Sequence, residues 1–106
     1  MNERQLLAFK YVIQHGTMTK AAELLHVTQS AVSQMITNLE QDLGFPVFER
    51  RQGKITPTPQ GRSFLAEADS VLDTMGKARR AAIELKNLSI GNFRVAATSV
   101  FALSLL

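Results

Sequence analysis

The sequence contains no cysteine and no tryptophan, so neither a disulfide framework nor a thiolate metal site can be built from its 106 residues. Its two histidines, His15 and His26, lack companions at metal-ligand spacing, and neither stands beside a candidate nucleophile. No H-E-x-x-H pair and no glycine-rich phosphate loop occurs, which leaves an enzyme as the least supported class. Long apolar runs are also missing. The oiliest stretch, Val95 to Leu106, is too short to span a bilayer as a helix and is interrupted by Thr98, Ser99 and Ser104. The first ten residues carry Glu3, Arg4 and Gln5 ahead of their apolar positions, unlike a secretory leader. These absences point to a metal-free cytoplasmic protein with no membrane partner.

What is present is sufficient for a core. Hydrophobic residues make up 45% of the chain, enough apolar surface to offset the entropy of ordering, and the length suits one small domain with an appendage. The formal charge of +3 is modest, but it is unevenly placed. No lysine or arginine occurs from Ala21 to Glu49, and then Arg50, Arg51 and Lys54 arrive within five residues. That cluster is a candidate phosphate contact, although a solvated basic loop would have the same composition.

Asn2 followed by Gln5 has the form of a capping box, and Leu6, Phe9 and Ile13 recur at helical spacing until His15-Gly16, which predicts a helix over 3–15. Thr17 or Thr19 can cap a second, short helix burying Ala21, Ala22, Leu24 and Leu25 and ending near His26. Only His26-Val27-Thr28 then separates it from a third helix, for which Thr28 is a good N-cap and which runs to Gly44. At about 100° per residue, Val32, Met35, Ile36, Leu39 and Leu43 fall in one arc and Gln29, Ser30, Ser33, Gln34 and Thr37 in another. The second arc holds amides and hydroxyls with no cation. Such groups can bond base edges or phosphates, whereas a face serving solubility alone usually carries lysine and glutamate. A short helix and a longer one joined by a tight turn form a helix-turn-helix unit, whose second helix offers its N-terminal residues to the major groove.

Beyond Gly44, two short extended arms around a glycine-bearing turn at Arg51-Gln52-Gly53 predict a hairpin wing over about 47–56, with Phe48 and Ile55 packed inward and Arg50, Arg51 and Lys54 projecting. Thr58-Pro59 then starts a helix expected to run to about Leu88. Within it Phe64, Ala68, Val71, Met75, Ala78, Ala82 and Leu85 alternate spacings of four and three, the seam of a coiled coil. Self-pairing into a dimer is the preferred cover for that stripe, with packing onto its own domain as the alternative. Ile90 to Ala97 is expected to be a strand and Val100 to Leu106 the start of a helix, the opening of a second domain that is cut short.

The ordered set Leu6-Leu7-Ala8-Phe9, Thr19-Lys20-Ala21-Ala22-Glu23-Leu24-Leu25, Val27-Thr28-Gln29-Ser30-Ala31-Val32-Ser33, Leu39-Glu40, Leu43-Gly44, Val47-Phe48-Glu49-Arg50 and Thr58-Pro59-Gln60-Gly61 resembles the N-terminal part of LysR-type transcriptional regulators. The resemblance covers essentially the whole chain. It implies a mainly α architecture: a winged helix-turn-helix over 1–58, a dimerising linker helix over 59–88, and from 89–106 the beginning of a truncated α/β effector domain. It implies that residues matching Gln29, Ser30, Ser33 and Gln34 approach bases or phosphates, and that Arg50 and Arg51 lie on the backbone or in the minor groove. With Thr19, Lys20, Thr28, Thr37 and Lys54, these form the candidate DNA-contacting set. The implied partners are double-stranded DNA, a second copy in a homodimer or homotetramer, and RNA polymerase. No cofactor is expected in this chain, and a small-molecule co-inducer only for the effector domain. Gln34 stands where many relatives carry arginine, which leans readout toward A·T-containing sites. Pro57 stands where many carry leucine, a pointer to a branch with amino-acid-like effectors. An interaction module in which the amphipathic rod is the working part remains the alternative, and salt dependence separates the two, since DNA binding releases condensed counterions.

Overall fold

The computed structural model describes the backbone of residues 1–94 and the side chains of 1–88. Three helices come first: α1 (Glu3–His15), α2 (Met18–Leu25) and α3 (Gln29–Leu43). An antiparallel hairpin of β1 (Phe48–Arg51) and β2 (Lys54–Pro57) follows, and then α4 (Pro59–Arg94).

Local chemistry sets each boundary. The side chain of Asn2 accepts from the Gln5 amide at 2.9 Å, and the Gln5 side chain accepts from the Asn2 amide at 3.2 Å, closing a reciprocal cap. Gly16 ends α1 in the left-handed region at φ 76°, its N–H donating to Val12. Thr17 caps α2 and Thr28 caps α3, accepting from Lys20 N at 3.2 Å and Ala31 N at 3.1 Å. Between them His26 takes φ 57° while Val27 N donates back to Ala22 O at 3.0 Å, which turns the chain within three residues and places α3 against α2. Arg4 Nη2 adds a bond to Leu25 O at 3.3 Å, satisfying a carbonyl at the end of α2.

The apolar faces of α1, α2 and α3 meet in a core built from Leu6, Phe9 and Val12, Ala21 and Leu25, and Val32, Ile36 and Leu39. Phe9 is its hub, with ring centroids 5.6 Å from Phe48 of the wing and 5.7 Å from Phe64 of α4. Ala68 is buried in the same cluster and Leu72 packs against it. The first compact unit therefore runs from Met1 to Leu72, past the boundary expected at residue 58, because the opening turns of α4 complete the core. Lys10 on α1 pairs with Asp69 on α4 at 3.0 Å beside that contact. From Asp73 the chain belongs to a second unit.

At the foot of α4, Thr58 Oγ1 accepts from Gly61 N at 2.9 Å and donates to Pro46 O at 2.7 Å, so one hydroxyl both caps the helix and ties it to the chain entering the wing. A Cβ at Gly61 would sit 2.3 Å from Val47 O, so this approach requires glycine.

Two expectations fail within the described residues. Leu24, expected to pack inward from α2, is 40% exposed, because at about 100° per residue it falls outside the arc of Ala21, Ala22 and Leu25. Ile90 to Arg94, expected to open a strand, continue α4. Neither a proline nor a capping motif stands near Leu88, and Gly91 costs a helix only about 1 kcal/mol relative to alanine, so nothing there stops it. The remainder of that strand, from Val95, and the helix expected from Val100 lie outside the described residues.

Candidate nucleic-acid interface

The amphipathic wheel of α3 is realised in three dimensions. Val32, Ile36 and Leu39 are buried, while Gln29, Ser30, Ser33, Gln34 and Thr37 are all exposed. Thr28 is exposed too, but its hydroxyl is committed to the cap. Two of the amides are held by neighbours: Thr19 Oγ1 of α2 donates to Gln29 Oε1 at 3.3 Å, and Gln34 Nε2 donates to Asn38 Oδ1 at 2.8 Å. Lys20 is exposed on α2 and pairs with Glu23 at 3.4 Å. The strip on α3 thus offers hydrogen-bonding groups of both polarities without a charge of its own.

The wing supplies the charge. Gln52 at φ 52° and Gly53 at φ 76° give the two successive positive φ values of a type I′ turn, whose twist suits a two-residue hairpin. The register places Arg51 opposite Lys54 and Arg50 opposite Ile55. Because adjacent residues of a strand face opposite sides, the arginine pair is split. Arg50 lines a cleft of about 240 Å³ with Ser33 and Thr37 of α3, where Glu40, Glu49 and the apolar Ile36, Phe48 and Ile55 also contribute. Arg51 lines a separate hollow of about 340 Å³ with Thr56 and Arg62. Arg51 Nε also meets Glu49 Oε1 at 3.0 Å, an exposed pair whose rupture costs little.

Three contributors escaped the sequence reading. Glu40, on the inner side of α3, accepts from Val47 N at 2.7 Å and from Phe48 N at 3.4 Å, fastening the wing to the helix. Its sequence signals are its place at the edge of the apolar arc and in the Leu39-Glu40 pair of the family resemblance. Arg62 stands four residues after the Thr58 cap, in a helix with no acid in its first turn, which was a detectable departure from the usual pattern. Asn38 shows nothing in sequence beyond its i,i+4 spacing from Gln34.

The seam expected on α4 is divided in use. Phe64 rests half-buried on Phe9 and Ala68 is 1% exposed, both occupied by their own domain. Farther on, Val71 is 47% exposed, Met75 37% and Leu85 64%, and Ala78 and Ala82 are exposed as well. Ile83 and Leu88, outside the expected seam, are exposed apolar residues on the same helix. No helix among the described residues is long and apolar enough to cross a membrane, and no group of acids and histidines among them could hold a metal ion.

Comparison with known proteins agrees with this geometry. The chain is 36% identical over 104 residues to the regulatory protein NocR of Agrobacterium fabrum, covering 98% of this chain and 35% of that one. It is 35% identical over 102 residues to the octopine catabolism/uptake operon regulatory protein OccR of Rhizobium meliloti, covering 96% and 34%. It therefore spans about a third of the length of these curated relatives. Among solved structures, the CbnR DNA-binding domain in complex with DNA superposes with a TM-score of 0.73 at 34% identity, covering 81% of this chain and 99% of that one. The BenM DNA-binding domain in complex with catB site 1 DNA superposes at 0.74 and 30% identity, covering 81% and 97%. The family model for bacterial regulatory helix-turn-helix proteins of the lysR family matches residues 3–62. The chain belongs to that family, a family of transcriptional regulators rather than enzymes, and carries its winged helix-turn-helix.

Proposed function

We propose that this chain binds double-stranded DNA in a sequence-dependent way, with α3 in the major groove and the wing on the sugar-phosphate backbone or in the minor groove. Gln29, Ser30, Ser33, Gln34 and Thr37 meet base edges or nearby phosphates. Thr19, Lys20 and the N-terminus of α3 at Thr28 approach the backbone beside them. Arg50, Arg51 and Lys54, with Arg62 now added, neutralise phosphates. The observation that carries this reading is the cleft in which Arg50 of the wing stands beside Ser33 and Thr37 of α3, so that a charge for the backbone and groups for the bases share one surface. The CbnR and BenM domains, whose solved complexes contain DNA, support DNA as the partner by analogy.

A dimer is the functional unit in this account, since two helix-turn-helix units then match successive grooves. Val71, Met75, Ala78, Ala82 and Leu85 provide the pairing surface, while Phe64 and Ala68 anchor α4 to its own core. The parent protein acts in the bacterial cytoplasm at the nucleoid and regulates transcription through contact with RNA polymerase. A larger effector-binding domain follows the helix and takes a small co-inducer, and the likeness to an octopine-operon regulator fits an amino-acid-like one. The higher assembly is a dimer or tetramer. The test is selection of binding sites from a random duplex library, paired with sedimentation of the Leu85→Glu variant. Recovery of a two-fold-repeated site, and conversion of the variant to monomer with weakened binding, support the proposal. An unenriched library contradicts it.

A further inference from the structure

The two glutamines on the exposed face of α3 are engaged by opposite ends of their amides. Gln29 is held through its oxygen, which accepts from Thr19 Oγ1, so its amino group keeps both donors. Gln34 is held through its nitrogen. With one hydrogen of Nε2 donated to Asn38 Oδ1 at 2.8 Å, Oε1 keeps both of its acceptor sites and its direction is fixed by that bond. Asn38 lies one turn farther along the helix and is half-buried, whereas Gln34 is exposed, so the better-packed partner orients the freer one.

An unrestrained glutamine reads polarity poorly, because rotating its terminal torsion exchanges donor and acceptor. A neighbour that fixes one end removes that freedom before binding. In the major groove the consequence is specific. Adenine and cytosine present exocyclic amino donors there, while guanine and thymine present acceptors at the corresponding edge. Resting on the reading of α3 as the base-contacting helix, we propose that Asn38 is a positioning residue that holds the Gln34 amide oxygen outward, so that Gln34 selects a base bearing an amino group, adenine or cytosine. Asn38 itself touches no base. An asparagine and a glutamine can be joined in either sense, and the substitutions exploit this: aspartate only accepts, so Asn38→Asp preserves the sense seen here, whereas Asn38→Leu removes the partner.

The experiment is site selection from a random duplex library with the unaltered chain and with the Gln34→Ala, Asn38→Asp and Asn38→Leu variants, each checked by thermal melting. Gln34→Ala identifies the base pair concerned, as the one whose preference disappears. At that pair the unaltered chain should enrich adenine or cytosine about fivefold or more. Asn38→Asp should keep the preference while its added charge weakens binding to every sequence alike. Asn38→Leu should cut the preference to within about twofold, leaving the other positions and the melting temperature unchanged. Enrichment of guanine or thymine by the unaltered chain, or a preference that Gln34→Ala abolishes and Asn38→Leu retains, overturns the role of Asn38 alone. If Gln34→Ala alters no base pair, the base-reading role of Gln34 falls, and this inference falls with it.

Discussion

Helix α3 and the wing line the same cleft, yet they are made from opposite materials. α3 exposes amides and hydroxyls and no cation, while the wing exposes Arg50, Arg51 and Lys54 on a hairpin of eight paired positions. Groups with directional donors and acceptors discriminate between base edges, whereas point charges near phosphates bind every sequence and respond to salt. If the proposed DNA contacts hold, the comparison teaches that selectivity and affinity are assigned to separate elements. Glu40 and the Thr58–Gly61 junction, which hold those elements in register, then matter to both.

Breaking that register should have the largest effect. Gly61→Ala puts a methyl group 2.3 Å from Val47 O, a backbone atom that cannot swing aside. The overpacking should cost about 2–3 kcal/mol and lower Tm by roughly 10 °C or more, despite the helix propensity gained. An unchanged melting curve would show that the wing and α4 do not approach as described. Next in size, Glu40→Ala leaves the Val47 and Phe48 amides without their shared carboxylate, a loss of about 1–3 kcal/mol. Hydrogen exchange should accelerate at those two amides before the rest of the core, and persistent protection there would argue against the tie.

Two further substitutions sharpen the contrast without disturbing the fold. Gln29→Ala should cost about 1–3 kcal/mol on the preferred site and much less on scrambled DNA, as seen in parallel titrations. Arg51→Ala should do the reverse, weakening both DNAs by a similar factor and making the salt slope shallower by about 1 per protomer. Equal losses on both DNAs for Gln29→Ala would remove it from the readers, and a selective loss for Arg51→Ala would make it one.

Most of the first unit was legible because its boundaries are written in local chemistry. Asn2 with Gln5, Thr17, Thr28, and Thr58 with Pro59 each satisfy the amides that open a helix, and Gly16 and Gly44 each supply the left-handed residue that ends one. The apolar arc of α3 was equally plain, since one period of 3.6 separates Val32, Ile36 and Leu39 from the polar strip. Long-range choices were not written in that way. The stripe on α4 looks uniform, and only the folded core reveals that Phe64 and Ala68 are consumed by Phe9 and its neighbours while Leu85 is left open. The arginine pair reads as one patch in sequence, and strand geometry divides it between two hollows. The extension of α4 to Arg94 was missed because a run rich in β-branched and aromatic residues lay just ahead, while the structural determinant was the lack of any stop signal.

The division of labour between helix and wing can be tested most directly by fluorescence anisotropy of the chain on its selected site and on scrambled DNA, across a salt series. If Lys20, Arg50, Arg51, Lys54 and Arg62 supply three to five phosphate contacts per protomer of a dimer, log affinity should fall against log salt with a slope of roughly −5 to −9 on both DNAs. The two lines should run nearly parallel, offset by the base-reading contribution of α3. Slopes that differ strongly, or an offset that vanishes, would contradict the assignment of charge to the wing and selectivity to the helix.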